Sequence, residues 1–346
     1  MEDNMKDQTL RRKDEHIDIA LHKPVQNENT TGFEKYRFRH NPLPEIDFEA
    51  IDLSTSFLDK KLNAPFLVSS MTGGTDKAKR INEKLAEIAE EKGWSIGVGS
   101  MRAAIEEKNS IESFQIRKYA PTVALLANLG AVQLNYGFGV DECRRAVDLI
   151  EADGLVLHLN SLQEVFQPEG NTNFTGLLKK IESVIEAIEV PVGVKEVGMG
   201  IDGLTAKRLV EAGVDFIDVA GAGGTSWIQV EKYRNQDLKR YQAADAFRDW
   251  GNPTSSCLED IKKCGLNAKV ISSGGMQNGV EAAKAIALGA DLVGFGGALL
   301  PLSVGDDRKR MFEQFERIEF ELKAAMFGIG QATIEQLKFT QWLEKK

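Results

Sequence analysis

The chain has 346 residues and a formal net charge of −9 at pH 7. This acidic balance argues against a nucleic-acid-binding protein, whose footprint is usually basic, but local cations and backbone N–H groups can still bind small anions. The length suits one large core, such as a single (β/α)8 barrel of roughly 250 residues with extensions.

Cysteine use and hydropathy bear on where the protein works. Cys143, Cys257 and Cys264 form no CxxC pair, as is typical of reduced thiols in a cytosolic protein. No apolar run approaches about 18 residues, and the first residues are charged rather than signal-like. We therefore expect a soluble cytoplasmic protein with no membrane partner and no nucleic-acid partner.

The first forty residues are highly charged and poor in apolar clusters. Within them, residues 11–21 have apolar positions four apart, which predicts a short helix. A charged terminal segment is usually a solvated tail. The alternative is an arm that closes over a site and supplies Arg12, Lys13 and His16 to an anionic ligand.

From residue 65 onward, short apolar runs alternate with stretches of helical period. The predicted strands are 65–70, 95–100, 123–129, 155–160, 191–197, 216–221, 269–274 and 292–297. The predicted helices between them are 77–91, 140–151, 177–188, 206–212 and 280–288. Near-continuous apolar strands separated by helices indicate a parallel sheet covered on both faces. Eight such units favour an α/β fold of the (β/α)8 TIM-barrel type, with a doubly wound open sheet as the alternative.

Two further segments complete the predicted organisation. Residues 227–253 are polar and aromatic, and we interpret them as a long loop that forms a lid after the sixth strand, because loops of this length are uncommon unless functional. Residues 306–346 are predicted to be terminal helices outside the barrel. We expect an N-terminal arm and leading segment over 1–60, and the barrel with its terminal helices over 61–346.

Polar and glycine-rich segments follow the predicted strands, at the end where a barrel keeps its chemistry. The glycine pairs Gly274-Gly275 and Gly296-Gly297 follow the seventh and eighth strands, where such barrels usually bind phosphate. Glycine lets the backbone approach a ligand and direct free N–H groups at it. The other residues at these strand ends are Ser70, Met71, Thr72, Ser100, Asn128, Thr225 and Met276. We therefore predict a phosphate site at the last two strands.

Lys195 lies in a fifth strand that is otherwise apolar, where a lysine is rarely buried without a partner. Glu196 alternates to the other face of the strand, so the two neighbours cannot form a simple ion pair. Lys195 therefore either forms a salt bridge across the barrel or presents its charge to a bound anion or to the electron-rich end of a cofactor ring.

Residues 154–170, GLVLHLNSLQEVFQPEG, begin as a buried strand and then turn abruptly polar. The polar residues are His158, Asn160, Gln163, Glu164, Gln167 and Glu169. One interpretation is a strand followed by a polar helix start. The other is the ligand-binding mouth of a barrel enzyme, which collects donors and acceptors at this position.

Several motifs together carry a family resemblance. They are RKxxHI from Arg12, SMTGG from Ser70, Gly99-Ser100, HLNxLQExxQPEG from His158, VKEVG, GGTSW and the SGG before the last strand. In these motifs the chain resembles the type 2 isopentenyl diphosphate isomerases over nearly its whole length. The resemblance implies an FMN-dependent barrel that interconverts isopentenyl and dimethylallyl diphosphate by a 1,3-allylic proton shift, using reduced flavin and Mg²⁺. It also implies NADPH as the reductant and a homotetramer or homo-octamer.

The resemblance further implies a role for each matched residue. The flavin ring and ribityl chain would contact Ser70, Met71, Thr72, Ser100, Asn128, Lys195 and Thr225. The flavin phosphate would lie on Gly274, Gly275, Met276, Gly296 and Gly297. The substrate diphosphate would contact Arg12, Lys13, His16, His158, Asn160 and Gln163. Glu164 would ligate Mg²⁺, and the catalytic set would be Gln163, Glu164, Lys195 and His158. Ala220 stands where many relatives have serine, so one flavin contact is expected to be lost.

Three rival classes are alternatives. The 2-hydroxy acid oxidases also use a fifth-strand lysine and glycine phosphate loops, but they need a late histidine base, and the last histidine here is His158. Barrels of the IMP dehydrogenase type need a nucleophilic cysteine after the sixth strand, whereas Cys257 and Cys264 fall in a predicted helix, where a structural role is expected. A non-enzymatic flavin-binding protein would leave the polar cluster at 158–169 unexplained.

Overall fold

The computed structural model describes the backbone of residues 2–346 and the side chains of residues 12–107 and 110–346. The strands are β1 (Tyr36–Phe38), β2 (Thr55–Phe57), β3 (Lys60–Leu62), β4 (Phe66–Val68), β5 (Ser95–Gly97), β6 (Leu125–Gly130), β7 (Gly154–His158), β8 (Val192–Lys195), β9 (Phe216–Asp218), β10 (Lys269–Ser272), β11 (Leu292–Phe295) and β12 (Leu343–Lys345).

The helices are α1 (Glu2–His22), α2 (Asp76–Lys92), α3 (Arg102–Glu106), α4 (Val140–Ile150), α5 (Ser161–Phe166), α6 (Leu177–Ala187), α7 (Gly203–Glu211), α8 (Trp227–Arg234), α9 (Leu238–Ala243), α10 (Thr254–Cys264), α11 (Gly279–Ala287), α12 (Leu300–Val304), α13 (Arg308–Phe327) and α14 (Ile334–Lys338). In the part of the chain that the structure describes, no helix combines the length and the apolar character needed to cross a membrane.

Eight parallel strands, β4 to β11, close into a barrel in which each strand pairs with the next and β11 returns to β4. This confirms the predicted (β/α)8 fold and all eight predicted strands. The strands differ from the apolar runs by one to three residues at their ends, because the last residues of most runs turn into the loops at the barrel mouth. The five predicted helices are confirmed as α2, α4, α6, α7 and α11, with similar small shifts.

The barrel interior changes from apolar to polar along the strands. The apolar end is filled by Leu67, Leu126, Val156, Phe216, Ile271 and Leu292, and the β2–β3 hairpin packs against it with Phe57 and Leu62. The rings of Phe57 and Phe216 meet edge to face, with centroids 5.3 Å apart. Side chains two residues further along the strands point to the same interior, so His158, Lys195 and Asp218 form the next layer.

The N-terminal segment is not a solvated tail. It forms α1, which is longer than the predicted helix at 11–21 and packs against α2 and α8. Polar contacts hold it there, since Lys77 Nζ lies 2.6 Å from Asp18 and Thr75 Oγ1 donates to Asp14 at 2.7 Å. Composition alone suggests a tail because these contacts are made by charged residues, which look solvated in a sequence.

The segment after the sixth strand is also different from its prediction. Residues 227–253 are mostly helical, in α8, α9 and a 3-10 turn, and not a long loop. The helical pattern of α8 is hidden because it buries Gln229, Glu231 and Lys232 alongside Ile228 and Val230.

The C-terminal end holds one more difference. Helices α13 and α14 lie outside the barrel as predicted, but the chain finishes in β12, which pairs antiparallel with β1. In α10, Cys257 is buried as expected for a structural cysteine, whereas Cys264 at the helix end is exposed. A three-residue terminal strand has no periodicity of its own, so the sequence could not predict it.

Candidate functional site

A cavity of about 620 Å³ opens at the C-terminal end of the barrel, between the strand ends and helices α1 and α8. All of the site residues that the sequence suggested line it. They are Arg12, Lys13, His16, Ser70, Met71, Thr72, Ser100, Asn128, His158, Asn160, Gln163, Glu164, Lys195, Thr225, Gly274, Gly275, Met276, Gly296 and Gly297. Of the two predictions for the N-terminal segment, the structure has the arm and not the solvated tail, because α1 brings cationic side chains to the barrel mouth.

At the end of the cavity where the sequence predicts a phosphate site, the wall is formed by backbone. Gly274 and Gly275 have φ values of +97° and +76°, in the region that favours glycine. A Cβ at Gly274 would overlap the backbone of Gly221, and one at Gly275 would lie 2.5 Å from the backbone of Gly223. Thr254 Oγ1 donates to the carbonyl of Gly274 at 2.7 Å and fixes this close approach. The two glycines therefore allow this loop to pack directly against the loop that follows β9.

Lys195 is buried at the end of β8, and its ammonium donates to the backbone carbonyl of Glu196. It makes no salt bridge with any described side chain, so the predicted alternative of an ion pair across the barrel is not what the structure has. The Glu196 carboxylate faces away, as predicted, and accepts from the backbone N–H groups of residues 197–200 at 2.5–3.3 Å. The charge of Lys195 is therefore directed to the cavity and to its interior neighbours.

His158 is held beside Lys195 as a neutral imidazole. Burial and the nearby charges of Lys195 and Lys13 lower the pKa of His158 to about 3. Its Nδ1 lies 2.8 Å from Asn128 Oδ1, and Asn128 Nδ2 in turn donates to the carbonyl of Val98 at 3.1 Å. His158 therefore adds no charge to anion binding at physiological pH.

A cation cluster lies at the opposite end of the cavity, where α1 meets the barrel. Burial, with the adjacent charges of Arg12 and Arg102, lowers the pKa of Lys13 to about 7. Arg12 pairs with Glu169 at 3.3 Å and Arg102 with Glu106 at 2.8 Å. A multiply charged anion would add charge-assisted hydrogen bonds to this cluster. Arg102 was not among the predicted residues. Its only signal in the sequence is its place two residues after Ser100.

Glu164 is buried beside this cluster. Its carboxylate accepts from Asn160 Nδ2 at 2.8 Å and from the backbone N–H of Asn171 at 2.5 Å. Burial raises the pKa of Glu164, and these two donors oppose that rise. The Oδ1 atom of Asn160 is buried with no hydrogen-bond partner. An amide oxygen left free next to a carboxylate suits a cation, or a water bound to one, better than it suits a phosphate oxygen.

The described side chains contain no group of three His, Cys, Asp or Glu residues that could hold a metal ion by itself. A cation at Glu164 would therefore need ligands from the substrate. That is the ordinary mode of Mg²⁺, which takes one or two carboxylates and completes its shell with phosphate oxygens and water.

Glu231 on α8 joins the arm to the site and was also not predicted. It is fully buried, and its carboxylate lies 2.9 Å from His16 Nε2 and accepts from Gln163 Nε2 at 3.0 Å and Arg234 at 2.6 Å. Burial alone would raise the pKa of Glu231, but His16, Arg234 and Gln163 lower it. Glu231 is thus a charged group that links α1, α5 and α8. In the sequence it resembles any surface glutamate of a polar helix.

A sequence-family model described as FMN-dependent dehydrogenase matches residues 19–121 and 154–343. An isopentenyl-diphosphate delta-isomerase from Oceanobacillus iheyensis is 53% identical over 330 residues, which cover 95% of this chain and 94% of that protein. Another, from Nostoc, is 48% identical over 339 residues, which cover 98% of this chain and 97% of that protein.

Solved structures share the fold. A lactate oxidase from Pediococcus acidilactici aligns with a TM-score of 0.69 and 16% identity, covering 99% of this chain and 94% of its own. A flavocytochrome b2 variant with bound sulfite aligns with a TM-score of 0.70 and 18% identity, and the alignment covers 96% of this chain and 83% of that one. Structures that are only 16–18% identical show a shared barrel fold and no more. The relatives that are 48–53% identical over nearly the full chain show the family. The chain belongs to the isopentenyl-diphosphate delta-isomerases, within the family of FMN-dependent dehydrogenases.

Proposed function

We propose that the protein interconverts isopentenyl and dimethylallyl diphosphate by a 1,3-allylic proton shift that requires reduced FMN and Mg²⁺. The observation that carries this proposal is that one cavity has a side-chain-free loop at one end and a cation cluster with a carboxylate at the other, with Lys195 between them. A cavity with these two different ends suits two separate anionic groups, one on a cofactor and one on a substrate.

The barrel half of the cavity fits FMN. Two buried hydroxyls on its wall, Ser69 Oγ and Thr72 Oγ1, have no hydrogen-bond partner and suit the polar edge of a flavin. The residues proposed to hold the ring and chain are Ser70, Met71, Thr72, Ser100, Asn128, Lys195 and Thr225, and those proposed for the phosphate are Gly274, Gly275, Met276, Gly296 and Gly297. When bound in its reduced form, FMN would supply a proton donor and acceptor beside the alkene.

The arm half of the cavity fits a diphosphate with Mg²⁺. We propose that Arg12, Lys13 and Arg102 bind the diphosphate oxygens and that Glu164 ligates the metal. The free oxygen of Asn160 would accept from a metal-bound water. The same space is also lined by His16, His158 and Gln163. Because His158 is neutral, it would contact the diphosphate through hydrogen bonds and packing and would not add positive charge. Mg²⁺ would supply positive charge to the diphosphate when it is bound.

Shielding from water is the task of α1 and α8. Protonation of the alkene generates cationic character on a tertiary carbon, which water would capture. Ile17, Leu21 and Trp227 contribute apolar surface to the cavity, and the ring of His16 lies edge-on to Trp227 with centroids 5.1 Å apart. Gln163, fixed by Glu231, is proposed to orient the proton transfer together with Glu164 and Lys195.

The family membership is also the basis for three wider proposals. We propose NADPH as the reductant of the flavin, a homotetramer or homo-octamer as the assembly, and the cytoplasm as the location.

An anaerobic assay tests the proposed function. The purified protein would be incubated with FMN, dithionite, Mg²⁺ and isopentenyl diphosphate, and dimethylallyl diphosphate would be measured by NMR. We expect product only when both reduced flavin and Mg²⁺ are present. Full turnover with oxidised flavin or in excess chelator would contradict the proposal.

Glu164→Gln is expected to lower kcat/KM for isopentenyl diphosphate by about 10²-fold, because it removes the negative charge proposed for Mg²⁺ while keeping the shape of the side chain. The Mg²⁺ concentration at half-maximal rate should rise by at least about tenfold, with FMN still bound. The matched control is Glu182→Gln on the exposed face of α6. Unchanged Mg²⁺ dependence in Glu164→Gln would remove this residue from the metal site.

Diphosphate binding is expected to take up a proton at Lys13. At pH 8 a lysine with a pKa of about 7 is mostly neutral, and a bound anion restores its charge. Calorimetric titration with inorganic pyrophosphate in two buffers of different ionisation enthalpy should give close to one more proton taken up by the wild type than by Lys13→Met. This difference should shrink towards zero at pH 6, where Lys13 is already charged. An equal proton count in both proteins at pH 8 would refute the lowered pKa.

A further inference from the structure

A buried carboxylate that the proposed reaction does not use lies next to Lys195. Asp218 is the last residue of β9, is only 3% exposed, and is paired in register with Lys195 of β8. Lys195 is paired in the same way with His158 of β7. Because residues paired across parallel strands point to the same face, the three side chains form one row across the polar layer of the barrel.

The contacts of Asp218 hold its carboxylate in place. Ser273 Oγ donates to Oδ1 at 2.6 Å, and the backbone N–H of Ala220 donates to the same atom at 3.3 Å. Oδ2 accepts no hydrogen bond from the described residues. Burial raises the pKa of Asp218, and the nearby charge of Lys195 opposes that rise.

Two opposite buried charges, side by side, compensate each other's cost. Burying a single carboxylate or ammonium in a barrel is strongly unfavourable. Asp218 and Lys195 are neighbours in register but form no salt bridge within 4.0 Å, either with each other or with another described side chain. His158 is neutral and cannot serve as the counter-charge. The positive field that Lys195 presents to the cavity is therefore the field of a lysine partly offset by Asp218.

We propose that Asp218 is a positioning residue for the flavin site, whose carboxylate is the counter-charge of Lys195 and limits how strongly Lys195 stabilises the reduced flavin. This inference rests on the proposed binding of FMN beside Lys195. It assigns to β9 an electrostatic role in the site. It also gives a physical reason for an aspartate in a layer where an apolar residue would be less costly to bury.

The test is the midpoint potential of FMN bound to Asp218→Asn. Asparagine keeps the shape and can still accept from Ser273 and Ala220, but it removes the negative charge. The reduced flavin should then be favoured by about tenfold over the oxidised form, which raises the potential by about 30 mV for a two-electron couple. The matched control is Asp215→Asn, three residues earlier on the same chain segment and exposed at the opposite end of the barrel. Its potential should equal that of the wild type.

A purely structural role predicts a different result. Asp218→Asn would then have a lower melting temperature or weaker FMN binding in both redox states, with the potential unchanged, and this outcome or a lower potential overturns the inference. If the asparagine variant does not fold, Asp218→Ser, which also removes the charge, is measured with the same expectation. A raised potential in a protein without isomerase activity would support the role of Asp218 while refuting the proposed reaction. A wild-type protein that binds no FMN would overturn both.

Discussion

Gly274→Ala is expected to abolish FMN binding, with affinity at least about 100-fold weaker than that of the wild type. The residue has a φ of +97°, which alone costs an alanine about 1–2 kcal/mol, and its new methyl group would overlap the backbone of Gly221. The loop would have to move away from the position where the phosphate is proposed to lie. Flavin fluorescence on titration and the absorbance of purified protein measure the loss.

The control is a glycine that also has a positive φ but whose Cβ would not overlap any neighbouring atom. Gly265 has a φ of +60° at the end of α10, and a Cβ built there has no atom within 4 Å. Gly265→Ala should therefore lose some stability and keep its flavin. If Gly274→Ala also kept its flavin with near-normal affinity, the loop at 274–276 would not be the phosphate site.

Glu231→Gln is expected to reduce kcat/KM by at least about 10²-fold and to loosen α1 from the barrel. The substitution removes the charge from a fully buried group that holds His16 and Arg234. Arg234 keeps its pairs with Glu15 and Glu169, but breaking a buried pair typically costs about 3–5 kcal/mol. Gln163 would also lose its charged acceptor. Hydrogen exchange of α1, measured together with turnover, should show faster exchange in the same variant.

The control for this prediction is another acidic residue of the same region. Asp245 pairs with Lys232 and Arg248, but it is 45% exposed. An asparagine at 245 can still accept from the buried Lys232, and the pair with Arg248 is exposed, so Asp245→Asn should keep both turnover and the protection of α1. Normal activity in Glu231→Gln would mean that Gln163 and the arm do not depend on this carboxylate.

The barrel could be predicted because its strands are apolar on both faces and its helices have a clear period. For the same reason the positions of the cavity residues followed from the strand ends, since parallel strands bring those ends together at one edge. The sequence could assign Lys195 and the glycine pairs to this edge without knowing which residues would face each other across it.

Polar residues that are buried by pairing could not be predicted. Glu231 and Lys232 make α8 look like a polar loop, and the ionic contacts of α1 make it look like a tail. Asp218 has no motif around it, and its relation to Lys195 appears only when β8 and β9 are in register. Pairing of this kind is a property of the fold and leaves no periodic signal in one sequence.

The barrel is shared with oxidases of 2-hydroxy acids, yet the site differs from what that chemistry needs. No histidine follows His158 in the sequence, so the late histidine base that such an oxidase needs is missing. The polar surface that replaces it comes from α1, α5 and α8. In this chain, segments around a common barrel thus give the cavity its distinct polar surface.

The attachment of α1 to the barrel has a consequence for the order of events in a catalytic cycle. The bare glycine loop contacts the barrel and Thr31, which follows α1 in the chain, whereas two of the cations at the other end come from α1 itself. Retention of the cofactor and capture of the substrate are therefore separable in this chain. We therefore expect undocking of α1 to impair substrate capture more than it impairs cofactor binding.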